Sequence, residues 1–540
     1  MMNTTKLNEA PLVIRFSNGL NCYLLVESGH SVLIDCTGPG IRDEISRMNL
    51  PQPDAIIHTR VSEEQCREYL EYPHVPVYVP NEAVDLALCN DRFKADCINF
   101  WGDDHNWDAR GAEKYGFGGI ITVRPPVEPL NVKDSFAPDS RFSICDFTFE
   151  AINLHGAGKF AVGLILPEVN IMFCGALMRA GGFLDNFYDS IFCHARNDGL
   201  NSLLCALARA LESRTGRLFP LLGDAIEEPE KNLNKLSNQL QKVIKMTDLD
   251  WDNMQLSNSK PVRTIGGYNE IIPGVFQISG GGNIIIFIDN RGNGLLIDPD
   301  PCYWLPDKEE NINAIKNSID ALKREAGLQS IEYAMITHAH GDHAQYASML
   351  REHYGTVIAS STDVAEILRH PHDYPYPFLL PWYKLDFDAV DCDLDLKYEA
   401  PLKWSGGEIM PVQTQGHTGA HASFFMEWNG YRVICTGDSV QHGGGVPVVP
   451  MPILYNGAAW PDLGPVAALK RIQQLRPDWI ICGHGLSFFD PDGAIISSLI
   501  RETEKVQKEV AKLVPEGDLF RAMEPPGYAA FRKKLEQINK

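Results

Sequence analysis

Positive charge is scarce in this sequence. The 540 residues include 48 lysines and arginines against 70 aspartates and glutamates, which gives a formal net charge of −22 at pH 7. Proteins that bind nucleic acid usually present clustered lysine and arginine to neutralise phosphates. The composition therefore argues against a nucleic-acid partner and favours a small-molecule substrate.

Long apolar runs are also missing. No stretch reaches the roughly 18 apolar residues typical of a membrane span, and residues 1–16 lack the apolar core of a signal peptide. The 13 cysteines are scattered and form no Cys-x-x-Cys pair, which disfavours a disulfide framework and a separate zinc knuckle. These absences predict a cytoplasmic protein with reduced thiols and no membrane association.

The most informative pattern that is present is a cluster of potential metal ligands. An apolar run over residues 331–336 predicts a short buried strand, and residues 344–353 predict the start of a helix. Between them lie His338, His340, Asp342 and His343. Because three imidazoles and a carboxylate fall within six residues on a strand-to-helix turn, the sequence predicts a metal site here.

Further motifs follow other predicted strands. They are Gly416-His417-Thr418, Thr436-Gly437-Asp438-Ser439, Cys482-Gly483-His484-Gly485 and, upstream, Leu295-Leu296-Ile297-Asp298. Together with the cluster, their order resembles that of the metallo-β-lactamase fold superfamily in its dinuclear hydrolase form. The Thr-Gly-Asp and Cys-Gly-His motifs favour its glyoxalase II-like branch.

The resemblance implies an α/β fold of the αββα sandwich type and a ligand set for two divalent metal ions. One ion would be held by His338, His340 and His417, and the other by Asp342, His343 and His484, with Asp438 as the bridge. Imidazole and carboxylate donors suit zinc and also iron or manganese, and zinc is the ion that we expect. Asp298 and His421 are implied to support the ligands, and His421 is also a candidate proton donor.

The function implied is hydrolysis of an ester-like bond by a metal-bridging hydroxide, with Asp342 and Asp438 as catalytic ligands. Thioesters, lactones, sulfate esters and phosphodiesters all remain open as substrates. The alternative within the same superfamily is a mononuclear Fe(II) sulfur dioxygenase that uses a triad of His338, His417 and Asp438. A binding or scaffold role suits only the first half of the chain.

The first half of the chain repeats the pattern of the second half without its cluster. Residues 21–25 and 32–35 match residues 283–286 and 295–298. In this alignment the ligand positions are altered: Thr59, Val61, Glu63 and Glu64 stand for His338, His340, Asp342 and His343, while His155, Ala176 and Asp224 stand for His417, Asp438 and His484. We therefore predict tandem αββα sandwiches with a degenerate N-terminal copy.

Length and composition agree with a chain of two domains. At 540 residues, with 44% hydrophobic content, each half is long enough to bury a full core. Residues 247–262 mix Asp, Asn, Ser and Pro without an apolar period, which predicts a linker. The predicted boundaries are residues 1–246 for the degenerate domain and 263–540 for the catalytic domain with its C-terminal helices.

Two segments are candidates for the substrate pocket. The first, residues 369–387, is rich in aromatic residues and proline and includes Tyr376, Trp382 and Tyr383. The second follows Asp438 and includes His442 and Tyr455. Either an apolar wall over the metals or packing between domains or subunits, including a homodimer, would account for the aromatic segment.

Overall fold

The computed structural model describes most of the chain. The described residues are 2–62, 64–88, 126, 128–158, 160–187, 198–247, 262–279, 282–300, 308–371, 374, 389–443, 446–448, 464–519 and 528–539. The predicted linker, residues 247–262, lies almost entirely outside them. Within the described residues, no helix is long and apolar enough to cross a membrane.

The first half contains two sheets. The seven strands of the first sheet are β1 Asn3–Glu9, β2 Leu12–Asn18, β3 Leu20–Glu27, β4 His30–Ile34, β5 Ala55–Ile57, β6 Val77–Pro80 and β7 Val132–Phe136. The five strands of the second sheet are β8 Arg141–Ile144, β9 Phe147–Asn153, β10 Val162–Leu166, β11 Ile171–Gly175 and β12 Arg217–Pro220.

The second half contains two large sheets and a small hairpin. The eight strands of the third sheet are β13 Arg263–Ile265, β14 Tyr268–Ile272, β15 Val275–Ser279, β16 Asn283–Ile288, β17 Asn293–Ile297, β18 Ser330–Ile336, β19 Val357–Ser361 and β20 Leu394–Leu396. The fourth sheet comprises β21 Leu402–Trp404, β22 Gly407–Gln413, β23 Ala422–Trp428, β24 Tyr431–Gly437, β27 Trp479–Cys482 and β28 Phe488–Phe489. The hairpin pairs β25 Gln441–Gly443 with β26 Val446–Val448.

Helices cover the outer faces of the sheets. In the first half they are α1 Ile41–Arg47, α2 Val84–Leu88, α3 Asp198–Glu212 and α4 Pro229–Thr247. In the second half they are α5 Lys308–Glu325, α6 Gly341–Ala344, α7 Ala347–Tyr354, α8 Thr362–Arg369, α9 Pro465–Leu475, α10 Ala494–Ala511 and α11 Tyr528–Ile538.

The strands alternate between two cores, which produces the layers. Along β16, Ile284 and Ile286 face the core shared with helices, while Ile285 and Phe287 face the core between the third and fourth sheets. This follows from the two-residue period of a strand, because both faces of a covered sheet must be apolar. The first half has the same arrangement, with one core between its sheets and one under the helices on each side. The predicted mixed α/β sandwich architecture is confirmed.

The two halves share one order of strand pairing. Antiparallel pairs run from β1 to β4 and from β14 to β17, and parallel pairs follow from β4 to β7 and from β17 to β20. In the other two sheets, three antiparallel pairs precede one parallel pair, β11 with β12 and β24 with β27. Parallel strands joined by crossovers place their carboxyl ends at one edge.

Helix α10 connects the halves. Its N-terminal part packs on the fourth sheet through Ile496 and Leu499, whereas Val510 and the following residues pack among α3 and α4 of the first half. At this contact Glu509 accepts hydrogen bonds from Gln239 Nε2 at 3.0 Å and Lys242 Nζ at 3.1 Å. The C-terminal region therefore does not belong to the second half alone.

The contact at Glu509 predicts a pH-dependent contribution to stability. Hydrogen bonds from Lys512, Gln239 and Lys242 lower the pKa of Glu509 to about 2, below its value of about 4.3 in an unfolded chain. The stabilisation is therefore present above about pH 4.3 and is lost as the pH falls towards about 2. We expect Glu509→Gln to lower the urea midpoint at pH 7, and we expect the difference from wild type to narrow at pH 3.

The matched control is Glu502→Gln on the same helix, which removes only a neighbouring Lys505 contact. A difference for Glu509→Gln that stays constant between pH 7 and pH 3 would show that the ionised carboxylate of Glu509 does not contribute to stability.

Candidate metal centre

The centre is built on the adjacent ends of β17 and β18. Asp298 follows β17 in a left-handed conformation with φ of 51° and is fully buried. Its Oδ1 accepts the backbone N–H of Thr337 at 2.8 Å, and its Oδ2 accepts the Thr337 hydroxyl at 2.9 Å. These bonds fix the first residue of the turn that carries the histidine cluster.

Three buried histidines form the first candidate group. One donor atom from each of His338, His340 and His417 lies within 4.8 Å of the others, and His417 Nε2 is 3.0 Å from His340 Nδ1. Two nitrogens bound to one tetrahedral zinc ion lie about 3.3 Å apart, so the spacing suits a shared ion. His338 Nδ1–H donates to Thr337 Oγ1 at 2.9 Å, which leaves Nε2 facing the group.

The second candidate group consists of Asp342, His343 and His484. His484 Nε2 lies 3.2 Å from Asp342 Oδ2. His343 Nδ1–H donates to Asp298 Oδ2 at 3.0 Å, so its Nε2 lone pair points the other way. A carboxylate that holds a ligating histidine in this manner fixes its tautomer and its ring orientation.

Asp438 lies between the two groups. Its Oδ1 is 3.3 Å from His343 Nε2, and its Oδ2 is 3.3 Å from His417 Nε2 and 3.2 Å from His484 Nε2. Gln441 Nε2 donates to Oδ2 at 3.1 Å. One carboxylate therefore faces ligand atoms of both groups, as a bridge requires.

The charge balance of the centre suits cations. Among the described residues, His338 Nε2, His343 Nε2, Asp342 Oδ1 and Asp438 Oδ1 are buried without a hydrogen-bond partner, and such atoms are costly unless something binds them. Burial and the neighbouring imidazoles lower the pKa of His338 well below its usual value. Although burial opposes it, the carboxylates of Asp438, Asp342 and Asp298 raise the pKa of His343.

Comparison with known protein families matches residues 280–484 to the metallo-beta-lactamase superfamily. Residues 280–484 are a metallo-beta-lactamase superfamily domain. The second half of the chain thus carries the fold of a superfamily of metal-dependent hydrolases, with histidine and aspartate groups able to bind metal ions.

Solved structures of metallo-beta-lactamases also resemble parts of the chain. An enzyme from Cronobacter sakazakii is 20% identical over 52% of this chain and 96% of its own, with a TM-score of 0.32. One from Pontibacter korlensis is 17% identical over 45% and 99%, also with a TM-score of 0.32. A beta-lactamase from Chitinophaga pinensis is 17% identical over 47% and 97%, with a TM-score of 0.34. No curated protein matches the chain.

Glycines allow the strand ends of the metallo-beta-lactamase domain to approach closely. A Cβ on Gly437, where φ is 48°, would lie 2.6 Å from Thr337 Oγ1. A Cβ on Gly483 would lie 2.4 Å from Asp438 Oδ1. Both distances are far below normal contact, so the residues that precede Asp438 and His484 must lack a side chain.

His421 supports the backbone of Asp438. It is fully buried, its Nε2 accepts the Asp438 N–H at 3.2 Å, and its Nδ1 lies 3.0 Å from Thr414 Oγ1. Burial lowers the pKa of His421 to about 3. A neutral ring with both nitrogens engaged favours the supporting role over that of a proton donor.

The predicted pocket residues are largely beyond what the structure describes. Tyr376, Trp382, Tyr383 and Tyr455 lie outside the described residues, and for His442 only the backbone is described, within β25. The substrate wall therefore stays a prediction.

The first half contains the same anchor as the metallo-beta-lactamase domain. Asp35 follows β4 with φ of 58°, and it accepts the Thr59 N–H and the Thr59 hydroxyl, both at 2.9 Å. Thr59 thus corresponds to Thr337, so our alignment of Thr59 with His338 was wrong by one residue. The positions equivalent to His338, His340, Asp342 and His343 are held by Arg60, Ser62, Glu64 and Gln65.

Two other alignments in the first half also need correction. Val162 N–H donates to Thr59 O as Ala422 N–H does to Thr337 O, which places Ala157 at the position of His417. His155 instead lies 2.9 Å from Glu82 Oε2 through its Nε2, so its assignment to the His417 position was wrong.

At the strand ends, Leu221 N–H donates to Gly175 O as Gly483 N–H does to Gly437 O. Leu222 therefore corresponds to His484, and Asp224 is exposed beside Arg15, so its alignment with His484 was wrong. Ala176 keeps its predicted match with Asp438. Glu63 lies outside the described residues.

The sequence reasoning missed Thr337 and Gln441. Thr337 orders both Asp298 and His338, and Gln441 donates to the Asp438 carboxylate. For Thr337 a signal was available, because a threonine follows the corresponding strand in both halves. For Gln441 there was none, since its contact depends on the turn after Asp438.

Asp298 provides the prediction for this centre. In Asp298→Asn an NH2 donor replaces one of the two acceptor oxygens, so the side chain can no longer accept both the Thr337 N–H at one atom and the Thr337 hydroxyl with His343 Nδ1–H at the other. The orientation of His343 is thereby weakened. We expect zinc affinity, measured by competition with a chromogenic chelator, to fall about 10–100-fold. The matched control is Asp289→Asn, whose carboxylate accepts the backbone N–H groups of Arg291 and Asn293 in the turn between β16 and β17 and which should leave zinc affinity unchanged. Equal affinity in wild type and Asp298→Asn would contradict the role of Asp298.

Proposed function

We propose that the metallo-beta-lactamase domain binds two divalent metal ions and hydrolyses an ester-like bond of a small molecule. The observation that carries this proposal is the convergence of two complete donor groups on one buried carboxylate, Asp438. Four of the proposed donor atoms, His338 Nε2, His343 Nε2, Asp342 Oδ1 and Asp438 Oδ1, are buried without a hydrogen-bond partner among the described residues. Bound cations would satisfy them.

The proposed ligands follow from the geometry. His338, His340 and His417 would hold one ion, Asp342, His343 and His484 the other, and Asp438 would bridge them. Nitrogen and oxygen donors without thiolate suit zinc, and they also accommodate iron or manganese. We propose zinc because a tetrahedral site with three histidines is a common zinc arrangement.

When bound, such a pair of ions would supply Lewis acidity to the scissile carbonyl or phosphoryl group and would lower the pKa of a bound water towards neutrality. The residues of the chain orient the groups that would bind the ions. Asp298 selects the tautomer of His343, Thr337 selects that of His338, and His421 holds the backbone of Asp438. Burial of the donors excludes bulk water, which strengthens electrostatic interactions within the site.

The Fe(II) sulfur dioxygenase is the competing proposal. It would need only His338, His417 and Asp438 as a facial triad with open positions. The second group argues against it, because Asp342, His343 and His484 are also assembled, with His343 oriented by Asp298. Two donor groups favour the hydrolase.

For the substrate we propose the glyoxalase II-like branch, which includes thioesters, as the first class to test. The support is the pair of motifs Thr436-Gly437-Asp438 and Cys482-Gly483-His484, which lie at the centre. Lactones, sulfate esters and phosphodiesters are the other ester-like candidates. The net charge of −22 favours a small molecule over nucleic acid.

For the first half we propose a duplicated, degenerate domain kept for architecture. Its support is the shared order of strand pairing and the shared Asp35–Thr59 anchor. At the ligand positions, Arg60, Ala157 and Leu222 replace imidazoles. The two-domain boundaries, the cytoplasmic location and the homodimer stay predictions.

Dioxygen dependence separates the two enzyme proposals. We expect the zinc-loaded full chain to turn over at least one member of a thioester, lactone, sulfate-ester and phosphodiester panel under strict anaerobic conditions. His484→Ala should lower that rate about 100-fold, because a direct ligand should cost at least as much as an outer-shell group. The matched control His353→Ala alters an exposed histidine of α7 and should retain the full rate.

Product that forms only with stoichiometric oxygen consumption, in a chain loaded with Fe(II), would contradict the hydrolase and support the dioxygenase.

A further inference from the structure

A buried carboxylate outside the metal centre has more partners than local structure requires. Asp363 lies in the first turn of α8 and is fully buried. Its Oδ1 accepts from Ser361 Oγ at 2.7 Å and from the Tyr398 hydroxyl at 2.9 Å. A buried carboxyl group needs hydrogen-bond partners to compensate for lost hydration, so each of these donors has an energetic role.

One donor to Asp363 comes from the loop that carries His417. Gln415 Nε2 donates to Asp363 Oδ2 at 3.1 Å, two residues before His417. The orientation of the Gln415 amide is fixed from the other side, because its Oε1 accepts from Gln413 Nε2 at 2.9 Å. Tyr398, which also donates to Asp363, lies 3.3 Å from the carbonyl oxygen of His421 in the same loop.

Another donor to the same oxygen comes from the end of the chain. Asn539 Nδ2 donates to Asp363 Oδ2 at 3.0 Å across 176 residues of sequence. It directly follows α11, which is held in place by Leu535 in the core under the third sheet and by Lys534 Nζ at 2.8 Å from Glu366. One carboxylate oxygen thus joins the C-terminal helix to the His417 loop.

We propose that the C-terminal helix α11 is a positioning element of the metal centre and that Asn539 acts through Asp363 and Gln415 on His417. The inference rests on the proposed role of His417 as a metal ligand. Without Asn539, Asp363 loses one hydrogen bond, and its remaining donors must shift to compensate. The ligand loop then loses part of its preorganisation, and loss of preorganisation weakens binding.

The effect is expected to be unequal for the two ions. The His338, His340 and His417 group depends on the 414–421 loop, whereas Asp342, His343 and His484 lie on the α6 turn and after β27. A change at Asn539 should therefore weaken the binding of the ion at His417 more than the binding of the ion at His484. Removal or displacement of α11 would convert a two-ion centre to a one-ion centre, which gives the C-terminus control over occupancy.

The test compares Asn539→Leu with Lys534→Met in the full chain. Asn539→Leu removes the amide donor at similar volume, whereas Lys534→Met removes the contact of α11 with Glu366 without touching Asp363. Asn539→Gln keeps an amide donor and serves as the conservative variant. The measurements are stepwise zinc affinity by chelator competition and amide hydrogen exchange of residues 414–421 in the metal-free protein.

We expect Asn539→Leu to weaken one of two zinc ions about 10-fold and to speed amide exchange of the loop, with partial recovery in Asn539→Gln. Lys534→Met should lower the melting temperature and leave both measurements unchanged. If wild type binds two ions and Asn539→Leu matches it in zinc affinity and amide exchange, the role of α11 is contradicted while the proposed function stands. The same conclusion follows if Lys534→Met has the same effects as Asn539→Leu. A wild-type chain that binds no zinc would overturn the proposed function and the inference together.

Discussion

The interaction on which the centre depends is the one between Asp298 and the turn after β18. A single buried carboxylate accepts the Thr337 amide, the Thr337 hydroxyl and His343 Nδ1–H. It therefore ties two strand ends together and orients a histidine of one ligand group directly and of the other through Thr337. The left-handed backbone at Asp298 aims its side chain across the strand ends, a conformation that the surrounding contacts must stabilise.

The same anchor occurs in the first half without the histidine cluster. Asp35 and Thr59 repeat the geometry with Arg60, Ser62 and Gln65 at ligand positions. Arg60 donates to Gln65 Oε1 at 2.8 Å, so side chains interact where ions would bind in the other half. The anchor is thus common to both halves, whereas the histidines at the corresponding positions are found in the second half.

Sequence alone predicted the sandwich architecture and the candidate site of the second half, because apolar strands and ligand motifs alternate there with regular spacing. It failed on the register of the first half. His155 was aligned with His417 because it is the histidine nearest that position. The structure instead aligns Gly156 with Gly416, since each packs against a helix so tightly that a Cβ would not fit. Ala157, and not His155, therefore corresponds to His417. The number of residues between two motifs does not show which loop residue makes the hydrogen bond to the neighbouring strand.

Long-range polar contacts were beyond sequence reasoning for a related reason. The Asp363 network joins α8, the His417 loop and the residue after α11, and no periodicity or motif connects these segments. The role of His421 likewise depended on burial and on the Asp438 backbone. Such contacts emerge only once the layers have packed.

The most direct test of the account is anomalous diffraction at the zinc edge from crystals of the zinc-loaded full chain. We predict two peaks about 3.5–4 Å apart on either side of the Asp438 carboxylate, one within each ligand group, and no peak beside Arg60 and Ala157 in the first half. A single peak confined to the three-histidine group, or a peak at the Arg60 position, would contradict the account.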